Sequence, residues 1–227
     1  MGVAIMLGLA FLALAIIPQM WVSRVISVHS APRADFPGSG GQFARYLLDE
    51  MKLFHVHVEE TNLGDHYDPE SKTVRLVKNN MHGHSLAAVV IAAHEVGHAM
   101  QDATDYQPLR ARTKMARRAQ SVQMIGSIVM LAAPLMMIVT KSPGLMLMQI
   151  AAGLAMIGST LVMHALTLPV EFDASFKRAL PVLEAGEFFD RTDMRGARSI
   201  LWAAALTYVA GAAMSLLNIA QWIRVLR

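Results

Sequence analysis

The chain contains no cysteine, which excludes disulfide scaffolds, thiolate-bound zinc, iron–sulfur clusters and cysteine nucleophiles. Charge is scarce as well: Asp, Glu, Lys and Arg make up 16% of the 227 residues, against about 25% in ordinary soluble domains. With 54% of its residues apolar and a mean hydropathy of +0.39, the chain is not disordered, and a fully soluble globule is disfavoured. No repeat or low-complexity tract interrupts it. Long apolar runs are what it has in abundance, and they point to a bilayer.

Four stretches are candidates to cross a hydrocarbon core, which takes about 20 helical residues. The first runs from Val3 to Val22, carries Trp21 near its end and meets no charge before Arg24. A cleaved signal peptide competes with this reading, but no basic segment precedes the run, which continues past Pro18, so it reads as an uncleaved anchor. Val122–Thr140 and Leu145–Leu168 are joined by Lys141-Ser142-Pro143-Gly144, a tight turn that makes them a helical hairpin. Ile200–Ile223 carries Trp202 and Trp222 near its two ends, as an interfacial aromatic belt would. The resulting divisions are an anchor at 1–23, a domain at 24–121, the hairpin at 122–168, a second extramembrane segment at 169–199 and a last helix at 200–227.

The basic residues set the expected sidedness. Segments 23–121 and 169–199 hold 17 of the 20 Lys and Arg residues. The positive-inside rule places both in the cytoplasm, and with no eukaryotic targeting signal in the sequence a bacterial inner membrane is the expected home of this multi-pass chain. This also accounts for the pI near 9.4 without nucleic acid. The run Arg110, Arg112, Lys114, Arg117, Arg118 reads as facing lipid headgroups.

Within 24–121, Ser30–Gly41 reads as a linker. Phe43, Leu47 and Met51 recur at helical spacing. His55–Glu60 and Lys72–Val77 alternate like strands, with Thr61–Ser71 as a long hairpin-like turn. Ser85 is placed to cap a helix over Leu86–Gln101. That helix has too short an apolar run before His94 to span a membrane, so it reads as a buried core helix.

It carries His94-Glu95-Val96-Gly97-His98. Two His residues four apart share one helix face and can reach one metal ion. Neutral imidazoles suit zinc, one ion per chain, which lowers the pKa of a bound water towards about 7. Glu95 stands beside the first ligand as the general base. Two buried histidines satisfied by hydrogen bonds are the bland alternative. A catalytic zinc site normally takes a third protein ligand. Downstream candidates are Asp102, Asp105, His164, Glu171, Asp173, Glu184, Glu187, Asp190 and Asp193. Glu171 is favoured because it follows the third apolar stretch at the membrane face that the motif helix approaches.

Ala92–Gln101, Val170–Ser175, Asp65–Pro69 and Lys72–Leu76 together resemble the YugP-type membrane zinc metallopeptidases, neutral zinc metallopeptidase family 2, over nearly the whole chain. The chain is more distantly similar to HtpX-type membrane proteases. The resemblance implies His94, His98 and Glu171 as zinc ligands and Glu95 as base. The HtpX-type Asp four residues after the ligand Glu is Ser175 here, an uncharged residue, which leaves the orienting of a ligand His to Ser175 or Asp173.

Other candidates are weaker. Val74, Arg75 and Leu76 are expected to hold a peptide substrate by strand addition. His164, Asp173 and Arg178 are candidates to stabilise the oxyanion or to orient a ligand, as is Tyr106 for the oxyanion. His55, His57, His66, His82 and His84 read as loop or strand residues. The expected fold is mainly α: four membrane helices carrying a small cytoplasmic α+β zincin-like (gluzincin) domain. The expected function is a membrane-anchored zinc endopeptidase acting on polypeptides, including membrane or misfolded proteins, with room for a regulatory membrane partner. A non-proteolytic metal-binding scaffold is the alternative from another class. A site-2-type intramembrane protease is another alternative, but the chain has no Leu-Asp-Gly and its motif helix is short.

Overall fold

The computed structural model describes residues 2–36 and 38–225, with the side chains of all of these except 2–5, 7–12, 14, 15, 133, 137 and 217–225. Helix α1 (Gly2–His29) passes through Pro18 without a break. The expected anchor Val3–Val22 falls within it, and many of its side chains lie outside the described residues. A short loop leads to α2 (Gly40–Glu50), whose start is fixed by a capping box: Ser39 Oγ accepts from Gln42 N–H, and Gln42 Oε1 accepts from Ser39 N–H.

Strands β1 (His57–Thr61), β2 (His66–Asp68) and β3 (Thr73–Val77) then form one sheet in the order β1-β3-β2. The expected hairpin between the first and last of these is not there. β1 runs parallel to β3, with His57 opposite Thr73, while β2 occupies the expected turn and pairs antiparallel to β3, with Tyr67 opposite Val74. Alternation in sequence specifies which face a strand buries, not which neighbour it takes.

After the single turn α3 (Lys78–Met81) comes α4 (Leu86–Ala103), the helix around which the domain is built. Ser85 Oγ accepts from Ala88 N–H at 3.2 Å and caps it, as its sequence suggests. Helix α4 buries Val89, Val90 and Val96 against Leu47 and Leu48 of α2 and Val74 and Leu76 of β3.

Among the described residues, three helices are long and apolar enough to cross a membrane. They are α5 (Gln107–Thr140); a continuous run from Pro143 to Ala185 that holds α6 (Pro143–Phe172), a π-helical segment (Asp173–Ala179) and α7 (Leu180–Ala185); and the part of α8 (Arg191–Val225) up to Leu216. Leu131, Ile138 and Val139 on α5 are more than three-quarters exposed. Apolar surface on that scale needs a lipid or protein covering. α5 packs along α6, α6 on α8, and α1 on α8. The third stretch does not stop at Leu168: the helix continues through Pro169 and carries Glu171 on the same rigid rod.

Candidate metal centre

Residues on α4 alternate between two duties. Its apolar side fills the core, while His94, Glu95 and His98 are buried polar groups, 7%, 6% and 5% exposed. Four residues at 1.5 Å per residue bring the two imidazoles to neighbouring turns, and their ring centroids lie 4.7 Å apart. Glu171, 2% exposed, enters from α6. Its Oε2 lies 3.1 Å from His94 Nε2 and 3.6 Å from His98 Nε2. All three ligand atoms fall within 4.8 Å of one another. Two imidazoles and one carboxylate converging in this way match the donor set of a zinc site.

The outer nitrogens decide which way the rings face. His94 Nδ1 meets Ser175 Oγ at 3.1 Å, and His98 Nδ1 meets Gln101 Oε1 at 3.0 Å. Both Nδ1 atoms are thereby occupied, which turns both Nε2 atoms towards the space beside Glu171. The residues present fit zinc for that reason, and not for their spacing alone.

Glu95 makes no hydrogen bond to the triad, and its carboxyl is buried beside it. Burial pushes its pKa up to about 7; Glu171 and Asp65 push the same way, while His94 and Arg112 oppose them. A carboxyl with that value gains and loses a proton near neutrality.

The carboxylate arrives from the side because α4 and the π-helical segment pack closely. A Cβ added at Gly97 would sit 2.7 Å from the carbonyl oxygen of Ala174. The neighbour is backbone, so it cannot step aside as a side-chain tip could. Gly97→Ala is therefore expected to cost about 1–3 kcal/mol and to push Glu171 and Ser175 away from the His pair. Thermal unfolding of the detergent-purified variant measures the first effect, and its zinc affinity the second. A variant matching wild type in both would mean that the π-helical segment yields freely.

The other expected site residues are placed as follows. Asp173 accepts from Gln101 Nε2 at 2.9 Å and from Arg178 Nε at 2.8 Å, so it reaches the ligands only through Gln101. Arg178 also lies over the Tyr106 ring, 5.7 Å from its centroid, and pairs with Asp173 rather than facing the triad. His164 sits one to two turns before Glu171 against Gly211, beside a cavity of about 330 Å³ lined also by Gln19, Thr207 and Met214; it is not part of the ligand cluster. Asp102, a rival third ligand, is occupied by Tyr67 Oη and Lys72 Nζ, each at 2.6 Å.

Strand addition to Val74, Arg75 and Leu76 is corrected by the sheet. β3 is the central strand, flanked by β1 and β2, and Val77 N–H is taken by Asp65 Oδ1 at 2.8 Å. The outer strands of the sheet are β1 and β2. Gln101 and Arg112, whose Nη2 comes to 3.8 Å from Glu171 Oε1, are near the triad but were not among the expected site residues. Arg112 looks in sequence like one more member of a basic run.

The sequence profile of a family described as "Putative neutral zinc metallopeptidase" matches residues 4–227. The chain is also 32% identical over 223 residues to a protein of Bacillus subtilis (strain 168) named "Putative membrane protease YugP", covering 97% of this chain and 95% of that protein. No solved structure matches the chain.

Proposed function

The chain belongs to the neutral zinc metallopeptidase family, and we propose that it is an endopeptidase of the bacterial inner membrane, cutting polypeptides where they meet the cytoplasmic face. The observation that carries this reading is the convergence of His94 and His98 from α4 with Glu171 from α6, with the buried carboxyl of Glu95 beside them. His94, His98 and Glu171 would hold one zinc ion, which supplies Lewis acidity towards water and a peptide carbonyl when bound. Glu95 takes the proton of the attacking water and returns it to the leaving amine, a role suited to a carboxyl poised near neutrality. α4 and α6 fix the ligands on two long helices rather than on loops, so their geometry is set before substrate arrives.

Sidedness follows from the basic residues at 23–121 and 169–199. The divisions at 1–23, 24–121, 122–168, 169–199 and 200–227 describe a four-span, zincin-like protein in which the metal centre draws on the second and fourth of these segments. The depth of the site narrows its substrates. Glu171 stands three residues past Leu168, the last of the third apolar stretch, and a helix rises about 1.5 Å per residue. The scissile bond therefore lies within a helical turn or so of the hydrocarbon edge. Polypeptides tethered to the bilayer bring their backbone to that depth, and freely soluble ones do so rarely.

A reporter series tests this reading with the zinc-loaded chain in vesicles. A cleavable segment is placed next to a membrane anchor on the cytoplasmic face, next to it on the opposite face, or about 20 residues away from it. Cleavage at least tenfold faster in the first arrangement is the expected result. Equal cleavage of the distant segment overturns the restriction to the bilayer surface, cleavage on the opposite face overturns the orientation, and no cleavage anywhere overturns the endopeptidase reading.

A further inference from the structure

Gln101 is fully buried, 0% exposed, near the end of α4. Its side chain makes three hydrogen bonds. Nε2 donates to Val170 O at 2.7 Å and to Asp173 Oδ1 at 2.9 Å, and Oε1 meets His98 Nδ1 at 3.0 Å. The amide could be drawn either way round, but its partners settle the matter. A backbone carbonyl only accepts, and a carboxylate only accepts, so the NH₂ group must face Val170 and Asp173. Oε1 then faces His98, and an amide oxygen only accepts, so His98 Nδ1 must carry the proton. In the neutral ring that binds a metal, the lone pair is then on Nε2, the nitrogen turned towards Glu171.

We infer that Gln101 is a positioning residue for the metal centre: it locks His98 in the Nδ1–H tautomer and links that ring to the carboxylate of Asp173. The inference rests on the reading of His98 as a zinc ligand. Metal-bound histidines commonly donate their outer N–H to a carboxylate or carbonyl. Here the carboxylate stands one residue further out, and an amide bridges the gap. Asp173 is held in turn by Arg178 Nε at 2.8 Å, so the network runs from a guanidinium to a ligand ring through two intervening side chains, Asp173 and Gln101. It also joins α4 to the rod that bears Glu171, because Val170 and Asp173 flank Glu171 in sequence. One side chain thus sets the tautomer of one ligand and the placement of another. His94 has a different arrangement, with the hydroxyl of Ser175 as its partner.

The test uses Gln101→Met and Asp173→Asn in the full-length, detergent-purified chain, with zinc affinity measured by competition against a chelator. Met keeps the volume of Gln and removes all three hydrogen bonds. Asn keeps an oxygen for Gln101 Nε2 and removes the charge. Outer partners typically matter by about 10–100-fold in metal affinity, so Gln101→Met is expected near the upper end and Asp173→Asn near the lower. Long-range proton–nitrogen spectra of the metal-free chain should show His98 as the Nδ1–H tautomer in wild type and as a mixture in Gln101→Met. A role in packing alone would leave that signature in place. Wild-type zinc affinity and an unchanged tautomer in Gln101→Met overturn the inference, as does a larger loss in Asp173→Asn than in Gln101→Met. If Gln101→Met does not fold, unchanged affinity in Asp173→Asn is enough to overturn it. Failure of the wild-type chain to bind zinc would instead overturn the metal site itself.

Discussion

Glu95→Gln is expected to lower peptide cleavage by about 10²–10⁴-fold in kcat, the range for removal of a general base, while the chain keeps its zinc. The two side chains have the same shape, so the buried space around Glu95, 6% exposed, stays filled. What is lost is the capacity to take a proton. None of the three ligand atoms belongs to Glu95, and the hydrogen bonds that orient them run to Ser175 and Gln101, so the metal site has no reason to change. The fold should not suffer either, because a neutral amide replaces a carboxyl that burial already holds up at about 7. Measuring turnover and bound zinc on the same preparation makes the result decisive. Wild-type cleavage by the variant would remove Glu95 from the chemistry, and loss of zinc would make it a ligand.

How much of this was legible in the sequence differs residue by residue. His94 and His98 were legible because a helix repeats every 3.6 residues, so their spacing alone puts them on one face. The long apolar stretches were legible by composition, and α5, α6 and α8 carry three of them. Glu171 was legible only as a favoured member of a set, from its place beside the end of a stretch and from a family resemblance. The sheet was legible in part. Periodicity found β1 and β3, but pairing depends on residues outside either strand, and the three-residue β2 is too short for any period. Gln101 was not legible at all. A polar residue near the end of a helix reads as a solvated one, and its burial is created by partners 69 and 72 residues away. The π-helical turn was equally hidden, and only the structure shows that Gly97 makes room for the Ala174 carbonyl within it.

Glu171→Ala is expected to remove zinc binding at concentrations that saturate wild type, and cleavage with it. The carboxylate is the sole anionic member of the cluster and the one ligand not on α4. Its Oε2 lies close to both imidazoles, 3.1 Å from His94 Nε2 and 3.6 Å from His98 Nε2. Without it the two imidazoles remain, beside the guanidinium of Arg112, which sits 3.8 Å from Glu171 Oε1 and would then repel a cation. The loss should therefore exceed the about 10–100-fold that an outer partner contributes. Thermal unfolding reads this without any substrate. A ligand that binds only the folded state stabilises it by about 4 kcal/mol at a thousand times its Kd, so the wild-type midpoint should climb with added zinc, while that of Glu171→Ala stays flat. Glu171→Gln separates charge from shape, because it retains an oxygen at the same reach. An intermediate zinc response there would assign the binding to both, and a flat one to the charge. A full wild-type climb in Glu171→Ala would mean that another acid completes the site, and Asp102 is poorly placed to do so while Tyr67 and Lys72 hold it.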